Sequence, residues 1–184
     1  MSIVLPFLTS LNDLFWENPW AQLIGLLALI VGVSAFLQKH DDHLRRNLTI
    51  FTLLMGIQFM MLGLWAGALT AWLGTLRNYI SMRTKNIWVM AGFLLILWLV
   101  ALPNATEIVD YFPIVGTSLG TWAMFREKGL RMRSLMFLGS ACWLSHNFLV
   151  GSIGGTIIEA VFLVVNGRTM FKLFAEQTKT SKNN

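Results

Sequence analysis

The chain has 184 residues, 55% of them hydrophobic and only 12% charged, where a soluble domain is about a quarter charged. The apolar residues fall in long uncharged runs, which points to a membrane and away from a soluble core. The net charge of +5 does not imply a nucleic-acid partner, because the basic residues lie between apolar runs and not along one soluble face.

Residues 1–19 contain no Lys or Arg, so they lack the positive region of a cleavable signal. They read as a short outer segment, with Trp16 and Trp20 at headgroup level. The first span is the uncharged run Ala21 to Leu37, followed by the polar loop Gln38 to Asn47. Leu48 to Leu76 is an uncharged run of 29 residues. One helix of that length would extend about 43 Å, against a hydrocarbon core of about 30 Å. It therefore divides into two helices with a turn near Gly63 to Gly67, the second reaching about Met82 with Arg77 snorkelling at its inner end. A fourth span runs from Ile87 to Leu102 and stops at Pro103. The fifth covers about Asp110 to Phe125. Ser134 to Gly167 is again too long for one crossing and breaks at Gly151 to Gly155. The seventh span ends near Phe174, leaving Ala175 to Asn184 as a polar, disordered tail.

Charge placement supports seven crossings with the N-terminus outside and the C-terminus in the cytoplasm. All 14 Lys and Arg then fall inside, as the positive-inside rule requires. Asp13, Glu17, Glu107 and Asp110 fall outside. Counting residues 48–76 as one crossing would move Arg77, Arg83 and Lys85 outside.

Sliding the chain along itself by 88 residues, without a gap, aligns Gly32 with Gly120, Ala35 with Ala123, Arg45 with Arg133, Gly63 with Gly151, Gly67 with Gly155 and Asn78 with Asn166. A repeated three-helix unit keeps its orientation only if one extra crossing returns the chain. The expected fold is thus an all-α membrane protein of seven transmembrane helices in a 3+1+3 arrangement, with parallel repeats. Its parts are an outer segment 1–19, a first repeat 20–82, a linker helix 83–103, a second repeat 104–174 and a cytoplasmic tail 175–184.

The stretch Cys142-Trp-Leu-Ser-His-Asn-Phe-Leu-Val-Gly-Ser-Ile-Gly-Gly-Thr-Ile-Ile-Glu159, with Asn166-Gly167 after it, resembles the YgjV-type bacterial inner-membrane proteins. Gly120-Thr-Trp-Ala-Met-Phe125 and Arg83-Thr-Lys-Asn-Ile-Trp-Val-Met90 extend the likeness. The resemblance implies a bacterial inner membrane and assigns no activity. Separately, the 3+1+3 plan resembles the PQ-loop and SWEET-type sugar facilitators in architecture. Their Pro-Gln pair is missing: Phe36-Leu37-Gln38 and Met124-Phe125-Arg126 stand in its place.

Glu159 lies one to two turns inside helix seven among apolar neighbours. A carboxylate at that depth faces the bundle interior or a wet cavity, as a substrate or proton site, or else ties helices together by hydrogen bonds. His146 sits about one turn below the outer end of helix six, at a depth that suggests a proton-sharing pair with Glu159. The plainer reading is a histidine bonded to backbone. Asn78 and Asn166 occupy equivalent inner positions, suited to binding hydroxyl-rich solutes or to bridging helices. Gln58 aligns with His146. Asn147 shares a helix face with Trp143, and Trp72 could stack on a sugar ring. Gly151, Gly154 and Gly155 suit a turn and close packing better than an anion site. Cys142 is a packing residue. No metal motif, cofactor motif or catalytic set is visible, and lipid accounts for the inner Lys and Arg. The expected function is a transporter or facilitator of a small polar, sugar-like solute, linked to protons. The alternative is a non-transporting membrane sensor or assembly protein. Expected partners are membrane lipid and a small solute or proton.

Overall fold

The computed structural model describes residues 18–63, 65–149 and 153–182. Among them are seven α-helices and no strand. The helices are α1 (Pro19–Leu37), α2 (Asp41–Met61), α3 (Trp65–Arg83), α4 (Ile87–Ala101), α5 (Tyr111–Arg126), α6 (Gly129–Leu149) and α7 (Ile153–Lys182). Two short 3-10 turns, Leu102–Asn104 and Ile108–Asp110, join α4 to α5. Residues 1–17, most of the expected outer segment, lie outside the described residues, as do Gly151 and Ser152 of the expected turn.

Local chemistry sets most boundaries. Asn18 caps α1 by accepting from the Ala21 amide, with Pro19 in the first turn, where its missing N–H costs nothing. Gly63 ends α2 with φ +73, a conformation that favours glycine. Asn86 caps α4 through the Trp88 amide. Glu107 and Asp110 form a reciprocal capping box ahead of α5, and Asp110 accepts from the amides of Thr106 and Glu107 at 2.9 Å each. The tail departs from expectation. α7 continues as helix to Lys182, and its Glu176 pairs with Lys39 beyond the end of α1.

Among the described residues, only Pro19–Leu37 is both long and apolar enough to cross a membrane by itself, with a mean hydropathy of 2.1, while Ile87–Ala101 is apolar but shorter. α2, α3 and α6 carry their charges towards one end: Asp41, Asp42, Arg45 and Arg46 at the start of α2, Arg77 and Arg83 late in α3, Arg131 and Arg133 early in α6. Those are the ends met at the connections 38–40, 84–86 and 127–128, called here the basic end. Large apolar side chains are exposed around the rest, including Leu26, Ile30, Leu69, Leu99, Phe148 and Val164. An exposed surface this apolar suits a lipid surround.

In the packing, α1 lies against α2 and α2 against α3, while α5 lies against α6 and α6 against α7. α7 closes back on α1, α3 touches α5, and α4 rests on α5. Small residues allow close approach. A Cβ added at Gly116 of α5 would come within 2.7 Å of the Gly139 carbonyl on α6, so neither glycine tolerates a side chain without helix separation. The core gathers toward the basic end around Ala35, Phe36, Leu44, Leu48, Ala123, Met124, Met132 and Met136. These eight residues form four pairs 88 positions apart.

Candidate functional site

The basic end is shut by buried cations that reach backbone carbonyls. Arg45 on α2 donates to the Glu127 carbonyl just past α5 at 2.9 Å. Arg133 on α6 donates to the Phe36 carbonyl at 3.4 Å and to the Gln38 carbonyl just past α1. Each arginine thus satisfies acceptors that a helix C-terminus leaves open, and the positive charge suits the negative end of the helix dipole. Thr169 adds a second donor to the Phe36 carbonyl at 2.8 Å, and Lys85 donates to the Met124 carbonyl at 3.0 Å. Positions 36 and 124 are again 88 apart. Burial, with Arg45 and Lys128 nearby, pushes the Lys85 ammonium down to about 8.

Above this closed end lies a cavity of about 360 Å³, at the small end of the range for ligand sites. Its walls come from α2, α3, α4, α5 and α6, with Phe36 of α1 at one edge. The polar groups on it are Thr52, Thr70, Arg77, Thr117, Thr121 and Ser140, and Phe51, Phe93, Leu97 and Trp143 form much of the rest. Thr52 and Ser140 are 88 positions apart, so α2 and α6 present hydroxyls at matching places.

Arg77 does not snorkel to the surface as expected. Its position is six residues, about 9 Å, short of the α3 end, and its side chain turns into the cavity. Nε and Nη2 donate to the Asn78 amide oxygen at 3.2 and 3.0 Å, and Nη1 donates to the Thr121 hydroxyl on α5 at 3.2 Å. Among the described residues it forms no ion pair.

The residues singled out from sequence do not share one site. Asn78 and Asn166 are both buried, but each ties helices within its own half. Asn78 donates to the Leu48 carbonyl on α2, and Asn166 to the Arg133 carbonyl on α6 at 3.0 Å. Neither lines the cavity, so the expected paired-amide pocket does not form. Glu159 meets Ser140 on α6, directly behind the cavity wall, and its Oε2 is buried without a partner. His146 instead contacts the Val109 carbonyl at 3.0 Å and packs edge-on to Trp143. The expected Glu159–His146 pair is absent: Ser140 lies six residues, about 9 Å along the helix, from His146. Gln58 lies over Gly25 of α1, and Asn147 over Gly155 of α7. Trp72 packs on Gly56 and faces a lateral groove with Thr49, Leu53 and Tyr79, away from the cavity.

Sequence reasoning missed Arg77, Thr117 and Thr121. The depth of Arg77 within its helix was a readable signal. The equivalence of Thr52 and Ser140 under the repeat offset was another.

The profile of the Imp-YgjV family, described as bacterial inner membrane protein, matches residues 19–177. The chain is 35% identical over 159 residues to the inner membrane protein YgjV of Escherichia coli strain K12, spanning 86% of this chain and 87% of that one. No solved structure matches. With a family profile across nearly all of its helices and a full-length relative, the chain belongs to the YgjV-type family of bacterial inner membrane proteins.

Proposed function

We propose that the chain is a seven-pass transporter or facilitator of a small polar solute. In this reading two parallel three-helix units, residues 20–82 and 104–174, are joined by a linker helix within 83–103. The observation that carries it is the cavity between the units, a largely apolar wall bearing several hydroxyls and one guanidinium, stopped at the basic end. Parallel units are supported by the matched packing of α1, α2, α3 and α5, α6, α7, with α7 on α1 answered by α3 on α5. An in-plane axis would not pair Arg45 with Arg133 at one end of the bundle.

Glu159 is assigned the proton-binding role. A buried carboxylate must find a partner or take a proton, and one of its oxygens has no partner. α1, packed beside α7, carries no charge, and the charged or titratable groups of α6 other than Cys142 are Arg131, Arg133 and His146. The N-terminus is assigned to the outside and the C-terminus to the cytoplasm. A reporter fused after Asn184 is expected to behave as cytoplasmic, and a cysteine at the exposed Glu107 to react with an impermeant reagent from outside. The reverse labelling would overturn the topology.

The function is tested by uptake into proteoliposomes against a panel of sugars, polyols, amino acids and carboxylates. Saturable uptake that is lost when the cavity is filled supports the reading, and uptake of none refutes it. A Glu159→Gln protein is expected to transport with a flattened pH dependence; an unchanged pH profile would remove the proton role. One observation favours a second reading, a non-transporting protein that docks partners within the bilayer. α4 rests on α5 and leaves Trp88, Leu95 and Leu99 exposed. Copurification of a partner lost on Trp88→Ala, without uptake of any solute, would establish it.

A further inference from the structure

We infer that the cavity selects a small monocarboxylate, held by Arg77, over neutral solutes. This rests on the cavity being a solute site and names the class of solute it takes.

Among the described residues, Arg77 is the only charged one on the cavity wall. A guanidinium carries five N–H donors. Three are used, two on Asn78 and one on Thr121, so two remain. Both protein acceptors are neutral, so neither cancels the charge. A cation in a membrane interior pairs with an anion or faces water, and the arrangement leaves room for one anionic head. Two donors on a planar guanidinium match the two oxygens of a carboxylate. A dianion would call for a second cation, and the wall has none.

The surroundings fit the rest of such a molecule. Asn78 fixes the guanidinium from one side while itself bonded to the Leu48 carbonyl, so the head group meets a prepared partner. Thr121 is also bonded to the Thr117 carbonyl at 2.7 Å, which fixes its hydroxyl beside Nη1. Phe51, Phe93 and Trp143 then offer apolar surface to a short aliphatic or aromatic body. Sugars would leave the guanidinium charge uncompensated.

The test uses full-length protein in phosphatidylcholine nanodiscs and proteoliposomes. Its probes are propionate and propionamide, nearly equal in shape and different in charge. Tryptophan emission, to which Trp143 in the wall contributes, and thermal stability report binding. Propionate is expected to bind at least tenfold more tightly than propionamide. Arg77→Gln is expected to erase that preference and Arg77→Lys to keep part of it. A merely structural Arg77 would change stability without changing the propionate-to-propionamide ratio. If Arg77→Gln does not fold, the wild-type ratio and Thr121→Val still decide, the latter expected to weaken propionate severalfold and leave propionamide unchanged. Equal binding of both probes, or uptake of glucose without propionate, overturns the carboxylate inference and leaves the transporter reading intact. Loss of propionate binding when phosphatidylglycerol is added assigns the site to a lipid headgroup and overturns it as well. Absence of uptake for every solute refutes the transporter reading itself.

Discussion

The α7–α1 contact and the α3–α5 contact, which the 88-residue offset sets side by side, end in opposite states. Where α7 meets α1, Phe162 fills the interface. Its ring packs on Phe36 at 4.9 Å and on Phe51 at 5.7 Å and lies against Gly32. Where α3 meets α5, the residue 88 positions before Phe162 is Gly74, and the space it leaves belongs to the cavity. The neighbours differ in the same sense. Leu29 and Val33 on α1 correspond to Thr117 and Thr121 on α5, while Val165 on α7 corresponds to Arg77 on α3. Glu159 corresponds to Ala71, itself a cavity residue. A few differences of side chain separate a filled apolar contact from a hollow that carries a few polar groups.

The strongest way to break this contrast is to make the interfaces alike. Gly74→Phe places the α7 residue in α3. A Cβ there meets nothing closer than Thr52 at 3.8 Å, so the ring enters the cavity without a backbone clash. Solute uptake is expected to vanish while the protein still elutes as a folded particle. Retained uptake would show that the cavity is not the path.

The reverse exchange comes next. Phe162→Ala is expected to cost about 3–5 kcal/mol through lost packing and the void left behind, read as a lower unfolding midpoint in detergent. A loss below about 1 kcal/mol would mean that the site collapses readily and that the contrast is less sharp than drawn. Gly116→Ala tests the α5–α6 contact supporting the cavity wall. Its methyl would press on the Gly139 carbonyl at 2.7 Å, with an expected cost of about 1–3 kcal/mol.

The smallest effect concerns the capped helix ends. In the last turn of α1 the second donor is neutral Thr169, on the Phe36 carbonyl, and in the last turn of α5 Lys85 donates to the Met124 carbonyl. Burial lowers Lys85 from 10.5 to about 8, so the unfolded chain holds more protons between those values. Stability is therefore expected to rise with pH across that window, and Lys85→Met to remove the rise. Because the Lys85 side chain is largely exposed, the change will be slight.

Much of the architecture was legible because it rests on local signals. The turn at Gly63 and the start of a separate α7 at Ile153 follow from residue type and run length. The end of α7 was not legible. Ala175 to Lys182 looks like solvated tail in composition, and its anchor, the Lys39–Glu176 pair, joins residues 137 positions apart. The site was legible only in part, because sequence gives depth along a helix better than it gives rotation against neighbours. Depth placed Glu159 among buried groups, whereas helix phase sent it to Ser140 and sent His146 to Val109. The same limit hid Arg77: with its rotation unknown, a basic residue near the inner face looked like a lipid contact.

One contact near the basic end bears on how the proposed units would meet. The Asp41 carboxylate accepts from the Gly129 amide at 2.7 Å, and these residues are 88 positions apart. In the proposed parallel-unit reading, a residue that touches its own counterpart lies on the axis relating the two units. Around that point Arg45 and Arg133 cross reciprocally, each to the far unit, which is the signature of an isologous interface. The same interactions could form between two separate copies of one three-helix polypeptide. In the proposed parallel-unit reading, the linker helix would preserve the orientation that two independently inserted copies share.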